Sequence, residues 1–251
     1  MKTLLKFSWL FSVLFLLMIS CSNSTEPEQK NDNPSDGPDK VSFIEIETSI
    51  SSNNTNSYAI TVKNQVESLD SYFSSLLSTD FGGFGWKKDG NTWTYEYSYG
   101  GNGFKYQVID NGTSYSYKYY FTSTSGDIKY NNFLWYEGTY SIDGLTGTWK
   151  YYDTDNGATG RVLILYTFSK NASTNVVTVN EKMFGDDSNP SKITYEYDAV
   201  VNADKSGTLL VKLNGVRYEE ADWAANGSGH YKLYQNDGTT VLTNESWAAN
   251  P

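Results

Sequence analysis

Aromatic rings are the groups in this sequence with the most chemistry to offer. It carries 21 Tyr, 12 Phe and 7 Trp, with Trp86, Trp93, Trp135, Trp149 and Trp223 spread along its length. Amphipathic rings on a rigid sheet can stack on sugar faces or line a pocket at low entropic cost to themselves. The same rings are good strand formers that fill a core and leave their polar tips at its edge. On the binding reading, those five tryptophans are the candidate contacts, and the ligand is a glycan or a small amphipathic molecule.

Other chemistry is poorly represented. Cys21 is the single thiol and His230 the single imidazole, whereas a zinc site takes three or four such ligands. His230 follows Gly227-Ser228-Gly229 at a turn, without the strand–nucleophile–helix setting of a hydrolase. Glu219, Glu220 and Asp222 cluster near Arg217, and in a strand Glu220 and Asp222 share one face while Arg217 and Glu219 take the other. Glycoside hydrolysis would need two carboxylates about 5–9 Å apart, one of them with a raised pKa. Nothing in the sequence marks such a pair, so a solvated acidic face is expected. Asp153-Thr154-Asp155-Asn156-Gly157 imitates the start of a calcium loop, but its twelfth position is Ile164 rather than an acid. It reads as a type I′ hairpin tip. No glycine-rich phosphate loop is present. A net charge of −10 with no basic block excludes a nucleic-acid footprint. No catalytic residue, metal or cofactor is assigned. A structural or adhesive surface protein is the second functional reading, and a glycan-acting hydrolase or lyase the third.

The chain opens with an address. Lys2 and Lys6 precede Phe7 to Ile19, which is apolar except for Ser8 and Ser12. That is the pattern of a secretory signal and is too short for a spanning helix. Leu17-Met18-Ile19-Ser20-Cys21 resembles the lipobox of bacterial lipoproteins, with Met18 where leucine is usual. The resemblance covers residues 1–21 only. It implies cleavage before Cys21, lipidation of its thiol, and membrane anchoring at the bacterial cell envelope, with the leaflet left open. Residues 21–40 hold three prolines, Asn, Ser, Asp and Glu, and no apolar side chain beyond Cys21. They are expected to form a disordered acidic tether, lacking apolar surface to offset ordering entropy.

Residues 41–251 remain for one β-rich domain, long enough to bury a core. Val62, Val66, Leu69, Phe73 and Leu76 fall on one face of a helix over about 57–79, capped by Asn56 or Ser57 and ended by Phe81-Gly82-Gly83-Phe84-Gly85. From about 91 to 247 the period becomes two. Trp93, Tyr95, Tyr97 and Tyr99 alternate with Thr92, Thr94, Glu96 and Ser98, and Tyr115, Tyr117, Tyr119 and Phe121 repeat the pattern. Turn pairs such as Asp89-Gly90, Asn111-Gly112, Ser206-Gly207 and Asn226-Gly227 punctuate these runs. The expected fold is all-β with one N-terminal helix: an antiparallel up-and-down meander of about 11–12 strands, curled or closed into a barrel. Both faces of Val162-Leu163-Ile164-Leu165-Tyr166 are apolar, which predicts that the helix packs on or inside the sheet, over or near that strand. An outer-membrane barrel is set aside, since the alternate face is largely Thr, Ser, Lys, Glu and Asp rather than an apolar band.

Overall fold

A computed structural model describes residues 46–77, 85–126, 128–155, 157–185, 189 and 192–249, with side chains omitted for 69–77 and 155. The signal, Cys21, the tether and Phe81–Phe84 lie outside the described residues. So do the side chains of Leu69, Phe73 and Leu76.

Alternation and turn residues produce a single antiparallel sheet in strict chain order. Its strands are β1 (Lys87–Asp89), β2 (Thr92–Tyr99), β3 (Asn102–Asp110), β4 (Ser114–Ser123), β5 (Tyr130–Ser141), β6 (Thr146–Asp155) and β7 (Ala158–Lys170). They continue as β8 (Val177–Phe184), β9 (Ile193–Val201), β10 (Gly207–Leu213), β11 (Val216–Trp223), β12 (Gly229–Tyr234) and β13 (Val241–Trp247). The meander is as expected, with thirteen strands. The additional one, Lys87-Lys88-Asp89, is short, exposed and without alternation. The sheet does not close: β1 and β13 are its two ends. Closure needs two matching long edges, and the three charged residues of β1 offer too little backbone to pair with the seven of β13.

Register turns the alternation into continuous rows across the apolar face. One runs Trp93–Val108–Tyr117–Gly138–Trp149–Tyr166–Glu181–Tyr197–Val211–Glu219–Leu233. A second runs Tyr95–Tyr106–Tyr119–Tyr136–Tyr151–Ile164–Met183–Tyr195. A third, Tyr115–Tyr140–Gly147–Phe168–Val179–Ala199–Leu209–Ala221–Tyr231, is buried at every position. On the opposite face Lys118–Glu137–Lys150 and Lys182–Glu196–Lys212 are charge-alternating rows flanking Leu165. Opposite charges placed cross-strand favour this register over a one-residue slip.

Glycines accommodate the largest rings. Gly138, Gly147, Gly207 and Gly229 stand directly across from Trp149, Phe168, Trp223 and Trp247, and at each a Cβ would overlap the partner's ring. Gly207 therefore corrects the reading of Ser206-Gly207 as a turn pair. The left-handed residue of that turn is Lys205, at φ 65°, and Gly207 begins β10 beneath Trp223. Trp223 donates its indole N–H to the Lys205 carbonyl at 2.7 Å, and Trp247 repeats the bond to Gly227 at 2.8 Å.

The helix α1 spans Ser57–Leu77. Asn56 is its cap, accepting through Oδ1 from the N–H groups of Tyr58 and Ala59. Ala59, Val62 and Val66 are completely buried. The described contacts of α1 are with the far end of the sheet: Tyr58 stacks on Tyr231 of β12 at 4.8 Å, and Gln65 donates to Glu219 of β11 at 3.2 Å. This shifts the expected placement over Val162–Tyr166 towards β11 and β12. Within Val162–Tyr166 of β7, Tyr166 is buried in the core and half-buried Ile164 packs against it, while Leu163 and Leu165 are half-buried. The lead-in segment ties α1 down: the Thr48 N–H and hydroxyl both donate to Glu67 Oε1, and Ser49 bonds the loops on either side of β10–β11.

Candidate functional site

Packing divides the five candidate tryptophans. Trp93, Trp149 and Trp223 are core residues at 8%, 0% and 3% exposure. Trp86 and Trp135 are half-buried: Trp86 leans on Tyr95 and Tyr106, and Trp135 on Tyr119 and Phe121. The structure does not bring the five together. It assembles tyrosines instead. Tyr95, Tyr106, Tyr119, Tyr136 and Tyr151 occupy one row on five adjacent strands, and Tyr119 and Tyr136 stack at 5.0 Å with ring planes 8° apart. Beyond them, at the end of β2, Tyr97 and Tyr99 are exposed.

That tyrosine row continues into a chemically different stretch. Ile164, Met183 and Tyr195 are half-buried rather than sealed. Beside them the neighbouring row carries Glu181, Tyr197 and Glu219, where Glu181 faces Tyr197 across β8–β9 and Val211 separates Tyr197 from Glu219. Glu181 is half-buried, Tyr197 is 3% exposed and Glu219 6% exposed. Gln65 Nε2 donates to Glu219 Oε2 at 3.2 Å, while Glu219 Oε1 and the Tyr197 hydroxyl are buried with no hydrogen-bond partner. A buried polar atom without a partner costs about 1–3 kcal/mol, so these two atoms, two strands apart in one row, are places that a ligand's polar group could stabilise.

Electrostatics follow the burial. Burial pushes the Glu219 carboxyl above the usual carboxylate range; the hydrogen bond from Gln65 and the nearby Tyr231 hydroxyl pull it down without cancelling the effect. Burial likewise raises Glu181. It lifts Tyr195 to about 12, assisted by the charges of Glu181 and Glu219, and lifts Tyr197 further, with the same two carboxylates contributing. Both carboxylates are thus felt at one pair of phenols.

Glu219 departs from the expected solvated acidic face; its neighbours keep to it. Glu220 meets Arg217 at 3.1 Å and Lys232 at 3.8 Å on the polar face, and the Asp222 side chain is 63% exposed. Arg217 thus leaves the Glu219 face that strict alternation assigns it, because the register shifts between Val211 and Lys212 and Arg217 pairs with Lys212. The sequence did hold a signal for the buried pair. Glu181 is in phase with Val177 and Val179, and Glu219 with Ala221 and Trp223, so each carboxylate occupies an apolar beat of its strand.

The remaining candidates stay on the surface. His230 lies on the polar face beside Asn244 and Asp222. Asp153 sits 3.8 Å from Arg161 and accepts from the Thr154 N–H, and Asn156 lies outside the described residues. Among the described residues no three His, Cys, Asp or Glu side chains converge as metal ligands. The polar face has a depression of about 150 Å³ between Lys118, Glu137 and Lys150, well below the ~300–1,000 Å³ of ordinary ligand pockets. No family model matches the chain, and no curated protein matches it.

Proposed function

We propose that this chain is a bacterial cell-envelope lipoprotein, anchored through Cys21, whose β domain binds a small amphipathic molecule without transforming it. One observation carries the binding reading. Half-buried Ile164, Met183 and Tyr195 lead to the buried Tyr197 hydroxyl and Glu219 Oε1, which have no hydrogen-bond partner. An apolar body would lie against the side chains, and a polar end would satisfy the two atoms, the usual division of labour in a small-molecule site. A glycan instead favours exposed rings, and among the described residues the well-exposed ones are Tyr97 and Tyr99, at the end of β2.

Thermal-shift measurements on the full chain, with small arylalkyl compounds in one arm and soluble oligosaccharides in the other, separate these readings. A ligand at 100 times its dissociation constant adds about 2.7 kcal/mol, a shift of several degrees for a domain of this size. A response to the arylalkyl arm alone is the expected result. A response to oligosaccharides alone would replace this reading with a glycan platform at Tyr97 and Tyr99. Silence in both arms would leave a structural or adhesive lipoprotein.

The anchor has its own test. In a bacterial host the chain should incorporate labelled fatty acid and sediment with membranes, and Cys21→Ser should lose both. Labelling that survives the substitution would refute anchoring at Cys21. Two or more acyl chains make such attachment stable, at ~0.8 kcal/mol per buried CH₂.

A further inference from the structure

The polar end of the ligand can be specified further from the charges around it. Along the three rows of the apolar face from β2 to β12, ionisable side chains other than tyrosine are confined to Glu181 and Glu219; the rows contain no Lys or Arg. Nearby cations are engaged elsewhere. Lys63 of α1 pairs with Glu67. Lys182 and Lys212 pair with Glu196 on the opposite face, at 3.3 and 2.9 Å. Arg161 lies near Asp153 and donates to the Gly185 carbonyl.

Between the two carboxylates the sheet presents aromatic faces. Tyr197 stands next to Glu181 in the row and one residue short of Glu219, Tyr195 flanks it on β9, and Tyr231 packs beside Glu219 under Tyr58. Two acids, several phenol rings and, among the described residues, no counter-charge in these rows are complementary to an organic cation. The carboxylates supply charge, the ring faces supply cation–π attraction, and the Glu219 Oε1 and Tyr197 hydroxyl with no partner accept its N–H groups. A divalent metal suits the site less well, because it demands several oxygen ligands at 2–2.6 Å and no such cluster of acids forms among the described residues.

We propose that the Glu181–Tyr197–Glu219 stretch of the apolar face is a subsite for the ammonium group of a small amphipathic amine. This rests on the binding reading above and deepens it by naming the charge of the ligand.

The test uses three probes with closely related apolar bodies on the full chain: 2-phenylethylammonium, 2-phenylethanol and 3-phenylpropionate. Titration calorimetry should find the ammonium bound about ten-fold or more tighter than the alcohol, the equivalent of one charge-assisted contact, with the carboxylate weakest. Glu181→Gln and Glu219→Gln should each remove most of that preference, weakening the ammonium several-fold more than the alcohol. Equal binding of all three probes would overturn the ammonium assignment and leave the amphipathic reading standing. An ammonium preference that survives in both variants would place the cation elsewhere and overturn this subsite. No binding of any probe would sink both. The variants' thermal transitions, read in the same samples, establish that each is folded.

Discussion

Trp149→Ala is expected to cost about 3–5 kcal/mol, the range for emptying a fully buried large aromatic site. In a domain of this size that lowers the melting temperature by roughly 10 °C or more. Trp149 is completely buried at the middle of a row, touching Tyr117 at 5.5 Å and Tyr136 at 6.1 Å between ring centroids. Its space exists because Gly138, directly opposite, has no side chain. Gly138→Ala should therefore destabilise by about 1–3 kcal/mol through overpacking. A double-mutant cycle should give strong coupling, since the alanine methyl fits once the indole is gone. Gly90 offers the control: it has a left-handed φ of 57° and open space around its Cβ position. Gly90→Ala should carry only a modest backbone cost, about 1 kcal/mol, and no coupling to Trp149. Additive effects of Gly138→Ala and Trp149→Ala in thermal denaturation would contradict the ring-over-glycine account.

Glu219→Gln is expected to stabilise the protein above neutral pH, by about 1–3 kcal/mol if the buried charge is the main penalty. The sign follows from proton linkage. Burial holds the Glu219 carboxyl above its ordinary 4.5, so across the window between that value and the raised one the folded chain keeps a proton the unfolded chain has lost. Stability contributed by this group is present below the ordinary carboxylate range and falls as pH rises through the window. Glutamine keeps an acceptor for Gln65 and removes the titration. Melting curves of the two proteins should nearly coincide at about pH 4 and separate, with the variant higher, at about pH 8. A constant gap at all pH values would show that the carboxylate's charge is not the cause. A variant that is more stable yet binds ammonium less well would fit the common exchange of stability for function at a binding site.

The buried carboxylates show how site chemistry can be legible and still be passed over. Glu219 sits between Tyr218 and Glu220 in a run that reads as surface, and composition alone favours the solvated interpretation. Phase is the better guide, because a side chain two positions from Ala221 and four from Trp223 must share their face. Glycines carried a similar ambiguity. Gly207 and Gly112 both follow a turn-forming residue, yet Gly112 has a left-handed φ of 84° and Gly207 packs against a ring. Only the opposite strand reveals the difference.

By itself the sequence determined the antiparallel meander, its chain order, the capped helix and the face taken by residues in the regularly alternating runs, while bulges such as the one at Val211/Lys212 changed the face of others. Those properties come from a period of two or 3.6 and from turn residues, interactions reaching only a few positions along the chain. Tertiary structure decided the rest. It left the sheet open, because closure depends on the matching of β1 and β13, which are most distant in the sheet. It placed the described contacts of α1 on β11 and β12, since apolar strands such as Val162–Tyr166 can be covered by neighbouring rings as well as by a helix. It buried Trp93, Trp149 and Trp223 while leaving Trp86 and Trp135 half-covered. Alternation says which face a ring takes, and burial depends on what the other elements lay over that face.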